Sequence, residues 1–318
     1  MARLGPYELI DRFAVGGVAE IYRAKDTRTG EVVVIKRMRP DRPFEPEMHA
    51  GFLREMQVSL QAKHKNLIRG YELGTHNGVD YGVMEYIDGQ DLESVLERAR
   101  RQKIQVPYGF ATFIISEILD GLEFAHNILD HRKELLGLVH RDLAPKNIFV
   151  RYDGSIRVGD FGLSLAARQE IVEEVVGTPG YLSPEQARGE QLDARSDVFA
   201  VGCMLYEIVV GQRAFDVAGK RDSDMLRTHG QGKHRPVTRD VPEQLGLVIE
   251  TALALDRDDR FKSALDMRKA LKRTEHPPDD VHMPLGIATL VRRLFDVEFK
   301  RTRLPGNPLP FMSGSGTS

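Results

Sequence analysis

The spacing of apolar residues changes part-way along this chain. The runs Phe13 to Ala24 and Glu31 to Met38 are rich in strand formers, with Thr27-Arg28-Thr29-Gly30 as the turn between them. Val33-Val34-Ile35 reads as an apolar strand that ends on Lys36. Pro40, Pro43 and Pro46 then break the chain. A helical stretch opens at Phe52-Leu53-Arg54-Glu55-Met56 and ends near His64. From Asp91 onward helical spacing dominates. Phe110 to Leu129 carries Ile114, Ile115, Ile118, Leu119, Leu122 and Ala125 at helical intervals. The pattern predicts an α+β fold, strand-rich first and mostly helical after.

Two stretches stand outside this scheme. Asp130-His131-Arg132-Lys133-Glu134 is charged and reads as a surface turn. Past Leu271 the character changes again. Glu275 to Asp280 reads as a linker, and Leu285 to Phe299 as an amphipathic helix. Ser313-Gly314-Ser315-Gly316-Thr317-Ser318 has the composition of a flexible end. An apolar face on a short terminal helix is rarely left bare, so it is expected to dock on the body of the chain or on a second copy.

The chemistry concentrates in two motifs. His140-Arg141-Asp142-Leu143-Ala144-Pro145-Lys146-Asn147 puts a carboxylate, an ammonium and an amide on one tight loop. Asp160-Phe161-Gly162 follows with a second carboxylate. Phosphoryl transfer from a nucleotide needs such a set: one carboxylate to orient a hydroxyl, and oxygen ligands for magnesium over the phosphates. Order and spacing together are far more specific than either motif alone.

With these motifs the chain resembles the eukaryotic-type protein kinases, and in Ser183-Pro184-Glu185-Gln186-Ala187-Arg188-Gly189 their bacterial Ser/Thr members. The resemblance covers roughly residues 7 to 272 and implies a two-lobed fold, with a small lobe over 7–86, a large lobe over 87–272 and an extension over 273–318. It implies ATP as cofactor with Mg2+, or Mn2+ in its place. Lys36 and Glu55 would position the phosphates, and Asp142 would act on the substrate hydroxyl. Lys146 would stabilise charge, and Thr178 would help hold Asp142. Asn147 and Asp160 would bind the metal. The nucleotide would lie among Ala14, Gly16, Gly17, Ile21, Val34, the gatekeeper Met84, Glu85, Ile87, Asp91 and Phe149. Asp197 matches the aspartate that braces the catalytic loop, and Arg260 the partner of Glu185.

The departures are informative. The glycine-rich phosphate loop falls on Ala14, Gly16, Ala19 and Ile21, and only Gly16 survives, with Gly17 beside it. Glycine serves such loops by close backbone approach and positive φ. Two readings stand, a slow or selective nucleotide site and a tolerated variant. Ala144 replaces the lysine usual two residues after the aspartate, and Lys146 is the substitute. Gly177-Thr178-Pro179-Gly180-Tyr181 favours a serine or threonine acceptor. Between Phe161 and Gly177 the only hydroxyl is Ser164. Glu173 and Glu174 stand where, by the resemblance, a regulatory phosphothreonine commonly pairs with the catalytic-loop arginine, here Arg141. Two readings stand: carboxylates that replace the phosphate, with activity then expected without loop phosphorylation, and a solvated acidic loop. Ser59 and Gly70 are small where large apolar groups often stack, which suggests a loose contact under the Glu55 helix. The rival to an enzyme is a pseudokinase that scaffolds partners. A small-molecule phosphotransferase ranks last, because it typically lacks the Glu185–Arg260 pair.

Composition narrows the setting. The chain has 318 residues, 41% hydrophobic, enough for a large domain or two lobes. A net charge of −2 argues against a general nucleic-acid binder. Cys203, the single cysteine, excludes an internal disulfide and reads as a buried thiol in the apolar run Val198 to Gly211. That run is too short to cross a bilayer, and the first residues have no signal-peptide character, so a cytoplasmic protein is expected. The protein substrate is not written in the sequence.

Overall fold

The computed structural model describes residues 2–41, 45–129, 132–160, 177–238, 240–279 and 282–303, and the backbone of 165–166. Several residues singled out above lie outside this set: Pro43, Asp130, His131, Phe161, Gly162, Ser164, Glu173, Glu174, Asp280 and the 313–318 end.

A six-stranded antiparallel sheet builds the first lobe. Its strands are β1 (Arg3–Leu4), β2 (Tyr7–Val15), β3 (Ala19–Asp26), β4 (Val32–Met38), β5 (Gly70–His76) and β6 (Val79–Glu85), in the order β1-β2-β3-β4-β6-β5. The run expected from Phe13 to Ala24 is in fact parts of two strands. The chain turns at Gly16-Gly17-Val18, and the Gly16 N–H donates to the Ala19 carbonyl at 2.8 Å. Helix α1 (Pro46–Gln61) lies across the sheet. It begins earlier than expected, because Pro46 opens it instead of blocking it. A proline in the first helical turn has no N–H to leave unpaired, and its φ already fits. Phe52, Glu55, Met56 and Ser59 are buried at helical spacing, and this face holds α1 on the sheet. Burial of a side chain such as Phe52 is worth about 1.5–3 kcal/mol.

The second lobe starts with β7 (Gly89–Asp91), α2 (Leu92–Arg101) and α3 (Tyr108–His126). A short strand β8 (Leu138–Val139) leads into the catalytic-motif loop. Then come β9 (Ile148–Arg151) and β10 (Ile156–Val158), which with β7 form a three-stranded sheet in the order β10-β9-β7. Strand β11 (Leu165–Ala166) pairs with β8. The remaining helices are α4 (Pro184–Ala187), α5 (Ala194–Val210), α6 (Asp222–Gly230), α7 (Glu243–Ala252) and α8 (Ala264–Leu271). The core lies around α3 and α5. Every residue of α5 from Ser196 to Val209 is buried, which explains its apolar sequence. Cys203 sits there, and burial pushes its thiol pKa well up, so it is an inert packing group.

Residues 283–302 fold back onto this lobe. The expected helix from Leu285 to Phe299 is two helices, α9 (Met283–Leu294) and α10 (Asp296–Thr302), with the break at Phe295. Ile287, Val291, Leu294 and Phe295 join the main core. Arg98 reaches across from α2, with its guanidinium carbon 3.9 Å from the Phe295 ring centre and a 2.7 Å ion pair to Glu298. Gly154, at φ +88°, lets the start of α9 approach closely, since a Cβ there would lie 1.8 Å from the Pro284 carbonyl oxygen. Among the described residues no helix is long and apolar enough to cross a membrane.

Candidate active site

Strand alternation builds the roof of a cleft between the lobes. Val33 and Ile35 point into the core on the far side of the sheet, so Val34 and Lys36 face the cleft. The cleft has a volume of about 270 Å³. Ala14, Ile21 and Val34 line it above, Met84, Glu85 and Ile87 behind, and Phe149 below. Asp91 closes one side. Its carboxylate also caps α2, accepting from the Ser94 N–H and hydroxyl, each at 2.7 Å, while burial raises its pKa. Gly16 and Gly17 do not line the cleft. Gly17 faces a second hollow beside Arg39, and neither glycine has a positive φ. The conformational reason for glycine in this loop is therefore not in use here.

Charged groups gather at the inner end. Lys36 Nζ lies 2.5 Å from Glu55 Oε1 and 3.6 Å from Asp160 Oδ1. Burial opposes the ammonium charge, but Asp160 and Glu55 outweigh it, and the Lys36 pKa rises. Asp160 occupies the left-handed region at φ +59°, which turns its carboxylate toward this group.

The His140–Asn147 loop supplies the rest. Asp142 Oδ1 accepts a hydrogen bond from the Thr178 hydroxyl. Its Oδ2 lies 3.1 Å from Lys146 Nζ. The Asn147 amide donates to the Asp142 carbonyl at 2.7 Å and to Oδ2 at 3.2 Å. Proline 145 starts a 3-10 turn, Pro145–Asn147, that places Lys146 and Asn147 beside the aspartate. Asp197 fixes the loop from below, accepting from the His140 N–H at 2.9 Å and the Arg141 N–H at 3.2 Å. His126 Nε2 lies 2.8 Å from the same carboxylate.

The protein kinase domain family matches residues 7–273. The chain belongs to the protein kinase family. Its relatives include a tyrosine-protein kinase MasK of Myxococcus xanthus, 34% identical over 313 residues, covering 95% of this chain and 48% of the relative. Serine/threonine-protein kinase PknB of Mycolicibacterium smegmatis is 35% identical over 283 residues, 84% of this chain and 42% of the relative. Serine/threonine-protein kinase PksC of Streptomyces coelicolor is 34% identical over 278 residues, 83% and 48%. The chain thus spans about half the length of the curated relatives it matches.

The segment that carries Glu185 is anchored by a buried ion pair. Arg260 Nη1 and Nη2 donate to Glu185 Oε1 and Oε2 at 2.7 and 2.8 Å, with 0% and 1% of the two side chains exposed. Burial pushes the Glu185 carboxyl up, but Arg260 and the Ser196 hydroxyl more than offset it, and the net pKa is lowered. Ser183, where alanine is usual, caps α4: its hydroxyl accepts from the Gln186 N–H at 3.3 Å.

Sequence reasoning missed part of the cleft wall. Asp11 and Arg23 also line it. Arg23 is clasped by Asp11 at 2.7 and 3.0 Å. The signal was available, since Arg23 is two residues past Ile21 and so shares its face of β3.

Proposed function

We propose that this kinase transfers the γ-phosphoryl of ATP to serine or threonine hydroxyls of proteins, without a need for activation-loop phosphorylation. The observation that carries the reading is the hydrogen bond from Thr178 to Asp142, which ties the acceptor loop to the carboxylate. Asp142 orients the incoming hydroxyl and accepts its proton as the oxygen attacks the γ-phosphorus, while the bond from that phosphorus to the β–γ bridging oxygen breaks and ADP leaves. Lys146, 3.1 Å away, counters charge on the transferring group in place of a lysine at Ala144. Lys36, held by Glu55, binds the α- and β-phosphates. Val34 and Phe149, which line the cleft, would hold the adenine, and Asp91 would serve the rest of the nucleotide.

Protein kinases use ATP with a divalent cation. The Asp160 carboxylate and the Asn147 amide oxygen form a hard-oxygen donor set at the cleft, which fits Mg2+, and Mn2+ as a substitute. When bound, the ion neutralises phosphate charge. The relatives' names divide between tyrosine and serine/threonine acceptors. Thr178 beside Asp142 favours the latter for this chain.

The deciding experiment is transfer from labelled ATP with magnesium, on this protein and on Asp142→Asn, with mapping of the modified residues. Label on serine or threonine that is lost in the variant is the expected result. Label confined to tyrosine overturns the acceptor assignment. No transfer and no binding of Mg-ATP give the protein to the scaffold reading.

A further inference from the structure

The residue before the catalytic aspartate is held in a conformation that non-glycine residues avoid. Arg141 has φ +70°, in the left-handed region. Such a backbone persists where its surroundings over-determine it. Asp197 holds the Arg141 N–H. A second buried side chain holds the other end of the residue. Gln186 Nε2 donates to the Arg141 carbonyl at 2.7 Å. The other end of that amide, Oε1, accepts from the Ser183 N–H at 3.0 Å. Gln186 is 7% exposed, so water does not easily replace either bond.

Gly177 shows how tightly this corner is built. Its φ is +138°, and a Cβ there would lie 3.0 Å from the Arg141 carbonyl oxygen and 3.5 Å from Gln186 Nε2. The next residue is Thr178, whose hydroxyl reaches Asp142. Gln186 therefore joins the cap of α4, the acceptor loop and the peptide that carries the catalytic carboxylate.

We propose that Gln186 is a positioning residue for phosphoryl transfer: by fixing the Arg141 carbonyl against its strained backbone, it sets the direction of Asp142. The proposal rests on the transferase reading above. It assigns Gln186 no contact with ATP or the substrate. Its loss therefore acts on the chemical step and leaves nucleotide binding, which depends on Lys36 and the cleft walls, in place.

Gln186→Glu separates the role from simple packing. The new side chain keeps an acceptor for the Ser183 N–H, and glutamate is a good capping-box residue, so α4 stays capped. The ionised carboxylate cannot donate to the Arg141 carbonyl, whereas its protonated form can. At a pH of about 8–9, kcat should fall roughly tenfold to a hundredfold, with KM for ATP and Tm nearly unchanged. Lowering the pH to about 6 should restore part of the rate, a limb absent from the unmodified protein. Backbone amides over residues 139–143 should exchange faster in the variant at the higher pH. Ser183→Ala, which keeps the Gln186 amide, should lower Tm while kcat stays within about twofold. A Gln186→Glu enzyme with the kcat, pH profile and amide exchange of the unmodified protein overturns the proposal. If the unmodified protein shows no transfer, the transferase reading fails. Amide exchange then decides the positioning claim alone, and unchanged exchange sinks it.

Discussion

Gly70 lies against the backbone of Ser59. A Cβ on Gly70 would sit 2.8 Å from the Ser59 carbonyl carbon and 2.9 Å from the Leu60 nitrogen. Two small residues here were expected to leave a loose contact under α1. The structure closes the gap instead by bringing strand and helix together, and Ser59 is only 8% exposed. Tight packing replaces the large side chains.

Gly70→Ala should therefore push α1 off the sheet and move Glu55 away from Lys36. We expect a loss of about 1–3 kcal/mol in stability, as for other overpacked sites. KM for ATP should rise as well, because the Lys36–Glu55 distance of 2.5 Å cannot be kept. Denaturant unfolding and steady-state kinetics on the variant check this. Unchanged stability with unchanged KM would mean that the helix tolerates the shift.

Lys36→Met removes the charge at the meeting point of Glu55 and Asp160. It should lower kcat/KM by roughly 10²–10³-fold, the scale for loss of one preorganised electrostatic group. The fold should survive, because the Lys36 side chain faces the cleft and not the core. The raised Lys36 pKa also has a sign. The stability it confers is complete below the unfolded value of about 10.4 and is lost as pH rises through the higher folded value. The methionine variant lacks this contribution at neutral pH, so its Tm should fall less than that of the unmodified protein as pH rises through this range, which a pH series of melting curves would reveal.

The Glu185–Arg260 pair is fully buried, so breaking one side strands a charge. Arg260→Ala should cost about 3–5 kcal/mol and loosen the acceptor loop. The Glu185 carboxyl is held below its usual value, so its contribution is present above the unfolded value of about 4.3 and fades as pH falls through the folded one. Acid unfolding of the unmodified protein should lose this contribution, and the variant should be less sensitive to acid over the same range. Equal acid sensitivity would remove Glu185 from the account.

The motif residues were legible because local spacing encodes them. Alternation on β4 sends Lys36 to the cleft, and the 3-10 turn after Pro145 sends Lys146 and Asn147 to one aspartate. The contact between Gly70 and Ser59 was not legible as packing, since small residues at two distant positions read equally well as a hole or a close approach. Gln186 was quoted only as part of a motif, because its partner, the Arg141 carbonyl, is a backbone group brought near by tertiary folding. The break at Phe295 was missed because the apolar period runs on across it. The ring is drawn into the core at 2% exposure and ends one helix there.

Helices α9 and α10 cover the second lobe near Asp88, where the chain passes from β6 to β7. Arg303 Nη2 donates to Asp88 Oδ2 at 2.9 Å, and the Phe299 ring stands 5.0 Å from Tyr152. Tyr152 in turn accepts from Gln90 at 2.8 Å, one residue before Asp91. Phe295→Ala should cost about 3–5 kcal/mol, a large part of a typical domain's 5–15 kcal/mol. Deletion of residues 275–318 should lower Tm further, since Ile287, Val291 and Leu294 would leave bare core behind. A truncated protein with the Tm of the full chain would show that this packing adds nothing.

The last prediction concerns Arg141. Its side chain is half-buried, and burial lowers its pKa against the opposing pull of Asp197. A guanidinium in that setting gains from a nearby anion. Glu173 and Glu174 lie outside the described residues; in the sequence they stand where the resemblance implies a phosphothreonine paired with this arginine, with no hydroxyl between Ser164 and Gly177. We expect these carboxylates to serve where other kinases use a phosphate. An exposed pair contributes only about 0–1 kcal/mol, and a better-buried one more. Glu173→Gln with Glu174→Gln should reduce kcat, and Arg141→Ala should cause a similar loss that does not add to it. Phosphatase treatment of the unmodified protein should leave activity in place. A large drop after dephosphorylation, traced to Ser164 or Thr178, would assign the switch to a phosphate after all, and a fully active double glutamine variant would remove the two glutamates from it.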